Sequence, residues 1–266
     1  MMSPSNPKPA TAAWKVVAER ELRDLWLTGR GLPLLAGYTI LLSVTSYLTA
    51  SNRALNFLEQ RETVGTTLQV AVGMAALLVL VAAADSISGE RDRGTLETLL
   101  VTPAPRRAFV IGKGLAALSL WAAAYVASVP YVWYLGRGTR VMGVALAGGF
   151  VVGLLLAVFA AALGLVLSIR ASSSRFSLAA SLFLLLALFA PTQIPTGKQQ
   201  AWFGDLLLRV DPFTSGLRYL GKLVVNAAGV GQELGWLIGP IVVAVVMTGL
   251  VLVLGNRVAL QPGNRA

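Results

Sequence analysis

Apolar residues gather into six long stretches along this chain: Leu32 to Ala50, Gly65 to Ala84, Gly114 to Leu135, Val141 to Leu167, Phe176 to Pro195 and Leu234 to Gly255. None of the six contains Asp, Glu, Lys, Arg or His. Each has roughly the 20 residues that an α-helix needs to cross about 30 Å of hydrocarbon. The pattern predicts an all-α, polytopic integral membrane protein with six transmembrane helices. The fourth stretch is long enough to tilt or project from the bilayer, and residues 136–140 before it leave room only for a tight hairpin. An even number of spans puts both termini on one side.

Between the tail and the first span the period changes. Trp14, Val17, Ala18, Leu22, Leu25 and Trp26 recur at helical spacing, with Lys15, Glu19, Arg20, Arg23 and Asp24 on the other side and Gly29 just beyond. An amphipathic helix over 14–28 is expected, and two tryptophans on its apolar face suit the headgroup region. Packing on other protein helices is the alternative. Residues 1–13, rich in Pro, Ser and Ala and without an apolar h-region, read as a disordered cytoplasmic tail rather than a cleaved signal peptide. Residues 14–266 then form a single transmembrane domain.

The connection 196–233 is too apolar for a free loop. Trp202, Phe203 and Leu206 to Leu208, then Phe213, Leu217, Tyr219 and Leu220, predict short helices dipping into the outer leaflet, broken near Asp211-Pro212. In the fourth span Ala145, Gly149, Gly153, Ala157 and Ala161 recur every four residues and make a smooth stripe on which another backbone can pack closely. Gly235 and Gly239 offer a shorter one. Intrachain packing is the preferred reading over a subunit interface, and Pro130 and Pro240 predict kinks.

Composition sharpens this picture by exclusion. With 56% hydrophobic and 13% charged residues and a mean hydropathy of +0.71, the chain has more apolar surface than one soluble core can hide. The net charge of +10 is scattered through the loops and not gathered in one aromatic-laced patch, which argues against nucleic acid. The absence of Cys and His removes disulfides, thiolate nucleophiles, imidazole bases and the usual zinc and copper sites. Lys and Arg are denser before the first span and between Asp85 and Lys113 than in the alternate segments, which favours cytoplasmic N- and C-termini. Spans without ionisable residues speak against coupling to an ion gradient through a buried charge. Gly216 to Leu223 reads G-L-R-Y-L-G-K-L and mimics a nucleotide-binding P-loop. Leu223 stands where Ser or Thr would hold magnesium and no strand precedes it, so it is set aside.

The segment 85–113, between the second and third spans, is the most informative. It reads Glu90-Arg91-Asp92-Arg93-Gly94-Thr95-Leu96-Glu97-Thr98-Leu99-Leu100-Val101-Thr102-Pro103-Ala104-Pro105-Arg106-Arg107, with Gly112-Lys113 following. Leu96, Leu99 and Leu100 share a helical face, and Thr102-Pro103 stops or restarts the helix. By composition alone this could be a solvated loop with snorkelling charges. It resembles, however, the signature of the ATP-binding-cassette (ABC) type-2 permeases, E-x-E-x-G-T-L-E-x-L-L-x-T-P-x-x-R and then G-K after the second span. Glu90, Gly94, Thr95, Leu96, Glu97, Leu99, Leu100, Thr102, Pro103, Arg106, Gly112 and Lys113 match. Asp92 stands where Glu is usual and Ala108 where an acidic residue is common. The likeness extends to the amphipathic N-terminal helix, the six spans and the proline-aromatic stretch Asp211-Pro212-Phe213 to Lys222.

The resemblance implies the permease subunit of an ATP-driven exporter in a bacterial or archaeal cell membrane, paired with a second, identical or similar permease and two ATPase subunits. ATP and magnesium would be bound by the ATPases and no cofactor by this chain. It also implies that Glu90, Arg91, Arg93, Glu97, Arg106 and Arg107 face the ATPase, that Leu96, Leu99 and Leu100 fill its cleft, and that Gly94, Thr95 and Pro103 belong to the same ATPase-coupling segment. A scaffold that binds an ATPase without moving solute, and a membrane-embedded lipid-modifying enzyme using Asp85 or Glu90, are the alternatives. The cargo is not readable: apolar, closely packed spans suit a lipid-like or amphiphilic substrate, or mechanical transmission to another protein, as well as a small solute.

Overall fold

Polar side chains do not end these helices; they continue them out of the membrane. The computed structural model describes residues 13–27, 30–50, 57–94, 106–139, 141–193, 208–226, 231 and 233–255. In chain order the helices are α1 (Ala13–Leu27), α2 (Gly31–Ala50), α3 (Phe57–Asp92), α4 (Arg106–Leu135), α5 (Met142–Arg170), α6 (Ser174–Phe189), α7 (Pro212–Val224) and α8 (Ile238–Gly255). Short 3-10 turns, Ala190–Gln193 and Leu234–Leu237, extend α6 and lead into α8. Six helices are long and apolar enough to cross a membrane, and the described residues contain no strand. At 1.5 Å per residue the 36 residues of α3 reach about 54 Å, well beyond the hydrocarbon thickness. More than half of the connection 85–113 expected between the second and third spans is therefore helical, since residues 85–92 end α3 and 106–113 begin α4.

Two helices form the centre. Of the spanning windows, 67% of the one in α5 and 56% of that in α3 is buried, against 17–22% for α2, α6 and α8. The small residues of α5 decide how near its neighbours come. A Cβ on Gly149 would stand 2.7 Å from Leu68 Cδ1, one on Gly153 2.9 Å from Trp121 Nε1, and one on Gly164 2.8 Å from the Leu80 carbonyl oxygen. Ala145 and Ala157 are wholly buried. The stripe thus faces α3 and α4 of its own chain. Trp121 continues it as an aromatic cluster with Tyr125 and Phe150, ring centroids 5.2 to 5.8 Å apart.

Helix α7 enters this bundle from the end opposite the α3–α4 connection. Its Pro212 end lies deepest, for Phe213 meets Phe159 edge-on at 6.1 Å and Phe189 at 5.8 Å. Phe159 lies about 25 Å along α5 from its start. At the other end Leu223 packs on Gly148, where a Cβ would be 2.6 Å from Leu223 Cδ2. The helix starts where Pro212 follows Asp211, whose side chain accepts from the Thr214 N–H at 2.8 Å as an N-cap. Both glycines of the P-loop-like run, Gly216 and Gly221, are inside α7, so no phosphate-cradling loop exists there. Pro240 stands in the first turn of α8, where a missing N–H breaks no helical bond, so it opens the helix and does not kink it. Pro130 lies inside α4.

Asp211 is only 6% exposed, and burying its charge opposes the benefit of the cap. Asp211→Asn keeps the accepting oxygen without the charge and should unfold at the wild-type temperature or higher. Asp211→Ala should lose about 1 kcal/mol. Thermal unfolding of the detergent-solubilised chain checks both, and equal losses would mean that the cap contributes nothing.

Candidate functional site

Three helices converge on one ammonium group where α3 and α4 leave the membrane. Lys113 Nζ donates to both carboxylate oxygens of Glu21 on α1, 3.0 Å each, and to Glu90 Oε1 on α3 at 2.6 Å. The Lys113 side chain is 3% exposed, those of Glu21 and Glu90 14% and 15%. A lysine this deep is tolerated because two carboxylates offset its charge and its three hydrogens are used. The neighbouring glycine explains the Gly112-Lys113 pair. A Cβ on Gly112 would stand 2.7 Å from Val17 Cγ1 and 3.0 Å from the Ala18 backbone nitrogen, so only glycine lets α1 lie close enough for Glu21 to reach the lysine.

Helix α1 packs on α4 through Val17 and Ala18, both buried, with Leu22, Leu25 and Trp26 half-buried beside them. Trp26 Nε1 donates to Ser119 Oγ at 3.0 Å. Trp14 stays more than a third exposed. The apolar face read from the sequence is therefore divided, one part against protein and Trp14 outward. Glu21 lies within the packed face, a position that hydrophobic periodicity does not single out.

The end of α3 is tied equally firmly to its other neighbours. Arg30 Nη1 donates to Asp85 Oδ2 at 2.9 Å, and Ser174 Oγ and Asp85 Oδ1 are also hydrogen-bonded. The Ser174 N–H donates to Asp92 Oδ2 at 2.8 Å. Arg91 donates to the carbonyl oxygens of Ala171 and Ile169. Ser168 Oγ receives the N–H groups of Ile87 and Ser88 at 3.1 and 2.9 Å. A cleft of about 580 Å³ beside the cluster is lined by Leu34 and Val81 as well as by Arg20, Asp24, Arg30 and Asp85. Among its lining charges Arg20 pairs with Asp24, Arg30 with Asp85, and Lys113 with Glu21 and Glu90, which suits a joint between helices.

Of the residues expected to meet an ATPase, Glu90 turns inward to Lys113 and Arg91 toward the α5–α6 turn, while Arg93, Arg106 and Arg107 are exposed. Gly94 has a φ of +68° and ends α3, since only glycine adopts that conformation without strain. Thr95, Leu96, Glu97, Leu99, Leu100 and Pro103 lie outside the described residues. Glu21, Arg30 and Asp85 were not assigned this joint from sequence. Their partners lie 92, 55 and 89 positions away, beyond any local spacing rule.

A family model described as "ABC-2 family transporter protein" matches residues 20–248. No curated protein matches the chain.

Proposed function

This chain belongs to the ABC-2 transporter family, and on that premise we propose that it is the permease subunit of an exporter, driven through the 93–105 connection by separate ATPases. Family membership itself makes it a membrane component of an ABC transporter, associated with ABC ATPases. The finer reading is supported by one observation above others: the Glu21–Lys113–Glu90 cluster joins α1 to both roots of that connection. A displacement of the connection is then delivered to α1, α3 and α4 together, because none can move without parting a buried ion pair. In this reading ATP and magnesium stay on the ATPases, a second permease completes the pathway, and the termini face the cytoplasm. ATP acts by favouring the permease conformation to which the closed ATPases bind more tightly.

Glu97→Arg reverses a charge in the proposed contact and touches no span. It should leave abundance in the membrane unchanged and lower ATPase co-purification about tenfold, which is about 1.4 kcal/mol. The assay is a pull-down of the detergent-solubilised protein with mass spectrometry and an ATPase measurement. Wild-type recovery of the ATPase with the Glu97→Arg chain would remove the connection from the interface.

A further inference from the structure

The cleft of about 580 Å³ beside the Lys113 cluster crosses from charged to uncharged sequence on three helices at once. At the start of α2 its lining runs from Arg30 to Leu34, at the end of α3 from Asp85 back to Ala82 and Val81, and on α4 from Lys113 to Ala116 and Ala117. The uncharged stretches begin or end between these residues, at Leu32, Ala84 and Gly114. A cavity so placed has one end at the level of lipid headgroups and the other among hydrocarbon. Helix α1 adds Arg20, Asp24 and Leu25 to the lining. The volume lies within the range of small-molecule sites, about 300–1,000 Å³, which suits a headgroup better than a whole lipid.

The polar end carries both signs in equal number. Among the described lining residues four cations stand with four carboxylates. A ligand of net charge leaves one sign in excess there, whereas a zwitterion keeps the balance. The existing pairs have capacity left for one. Arg20 Nε is 3.9 Å from Asp24 Oδ2, beyond hydrogen-bond reach, and the two side chains are 60% and 59% exposed. Arg30 uses Nη1 on Asp85, and a guanidinium has five N–H donors. Asp85 accepts from Arg30 on one oxygen and meets Ser174 on the other, while an ionised carboxylate has about four acceptor sites. Exposed pairs of this kind contribute little to stability, so a ligand can share their partners without opening the joint. Lys113, by contrast, has its hydrogens engaged by Glu21 and Glu90.

We propose that this cleft holds one phospholipid whose headgroup combines a phosphate with a primary ammonium. Arg20 and Arg30 take the phosphate, for which a guanidinium fork is well shaped, and Asp24 and Asp85 take the ammonium. The chains leave along Leu34 and Val81. Such a lipid touches α1, α2, α3 and α4 together. The inference rests on where the cleft crosses the span ends and on the charges that line it, and it holds whether or not an ATPase drives the chain.

Native mass spectrometry of the purified full-length chain tests it, with phosphatidylethanolamine, phosphatidylglycerol and phosphatidylcholine of the same acyl chains. Wild-type protein should retain phosphatidylethanolamine in preference to both others, because phosphatidylglycerol lacks the ammonium and phosphatidylcholine lacks its N–H donors. The double variant R20Q/D24N removes one charge of each sign, leaves the lining balanced and should retain about tenfold less phosphatidylethanolamine, with the other two lipids unchanged. Should it not accumulate, Ala82→Leu takes its place, filling the apolar end without touching a charge, with a several-fold loss expected. Retention in wild type should survive millimolar phosphoethanolamine, since the chains bind as well as the headgroup. Displacement by that headgroup alone would overturn a lipid as the occupant. Equal retention of the three lipids by wild type, a preference for phosphatidylglycerol, or undiminished phosphatidylethanolamine in the variant would overturn the proposal.

Discussion

Lys113→Met should be among the most damaging single changes outside the spans' lipid-facing surface, costing about 3–5 kcal/mol. Methionine fills the space of the lysine stem, so packing is nearly kept. What it removes is the cation that Glu21 and Glu90 share, leaving the two carboxylates in a site where each is about 15% exposed or less. Two ionised carboxylates there must take up a proton or part, and parting peels α1 from α4. Glu21→Gln leaves a one-to-one pair of Lys113 with Glu90 and should cost about 1 kcal/mol. The triple variant K113M/E21Q/E90Q leaves no buried charge uncompensated and should regain much of the loss. Thermal unfolding in detergent separates these outcomes. A triple variant as unstable as Lys113→Met would show that the lysine acts through its shape and not its charge.

Gly164→Val should prevent the two central helices from seating, with a cost of about 3 kcal/mol or more and little protein in the membrane. The reason is the identity of what a side chain would strike. At Gly164 the nearest atoms are the Leu80 carbonyl oxygen at 2.8 Å and the Ala84 backbone nitrogen at 3.0 Å, together with the Ala83 Cβ at 2.8 Å. Backbone of α3 cannot rotate away, so the helices must separate and lose contacts along their length. Gly149 is the control. There a Cβ meets the end of the Leu68 side chain at 2.7 Å, which can change rotamer, so Gly149→Ala should cost about 1 kcal/mol. Yield in the membrane and unfolding temperature of the two variants give the comparison. Equal tolerance at both positions would mean that the α3–α5 distance is not set at Gly164.

The four-residue stripe illustrates how far sequence reaches. Gly149, Gly153 and Ala157 are found by their period, because a helix repeats its faces whatever surrounds it. Gly164 falls outside that period, yet it makes the closest backbone approach of the stripe region, since α3 crosses α5 at an angle that the period of one helix does not contain. Glu21 was hidden for a related reason. Its charge excludes it from any apolar face, and only the position of Lys113 on another helix makes a packed glutamate favourable.

Six spans, their helical character and the informative connection after the second span were determined by the sequence itself. Hydrocarbon cannot hydrogen-bond a backbone, so a long uncharged stretch has one spanning solution within a single segment. The likeness of 90–113 to the ABC type-2 signature is equally a property of order along the chain. The tertiary structure decided that α3 and α5 are central, that α7 runs inward with its Asp211 end deepest, and that Glu21, Glu90 and Lys113 meet, with Arg20, Arg30, Asp24 and Asp85 around the cleft beside them. Each of these depends on distances between residues far apart in sequence. Burial, charge pairing and glycine clearances are sums over neighbours that exist only once the helices have packed.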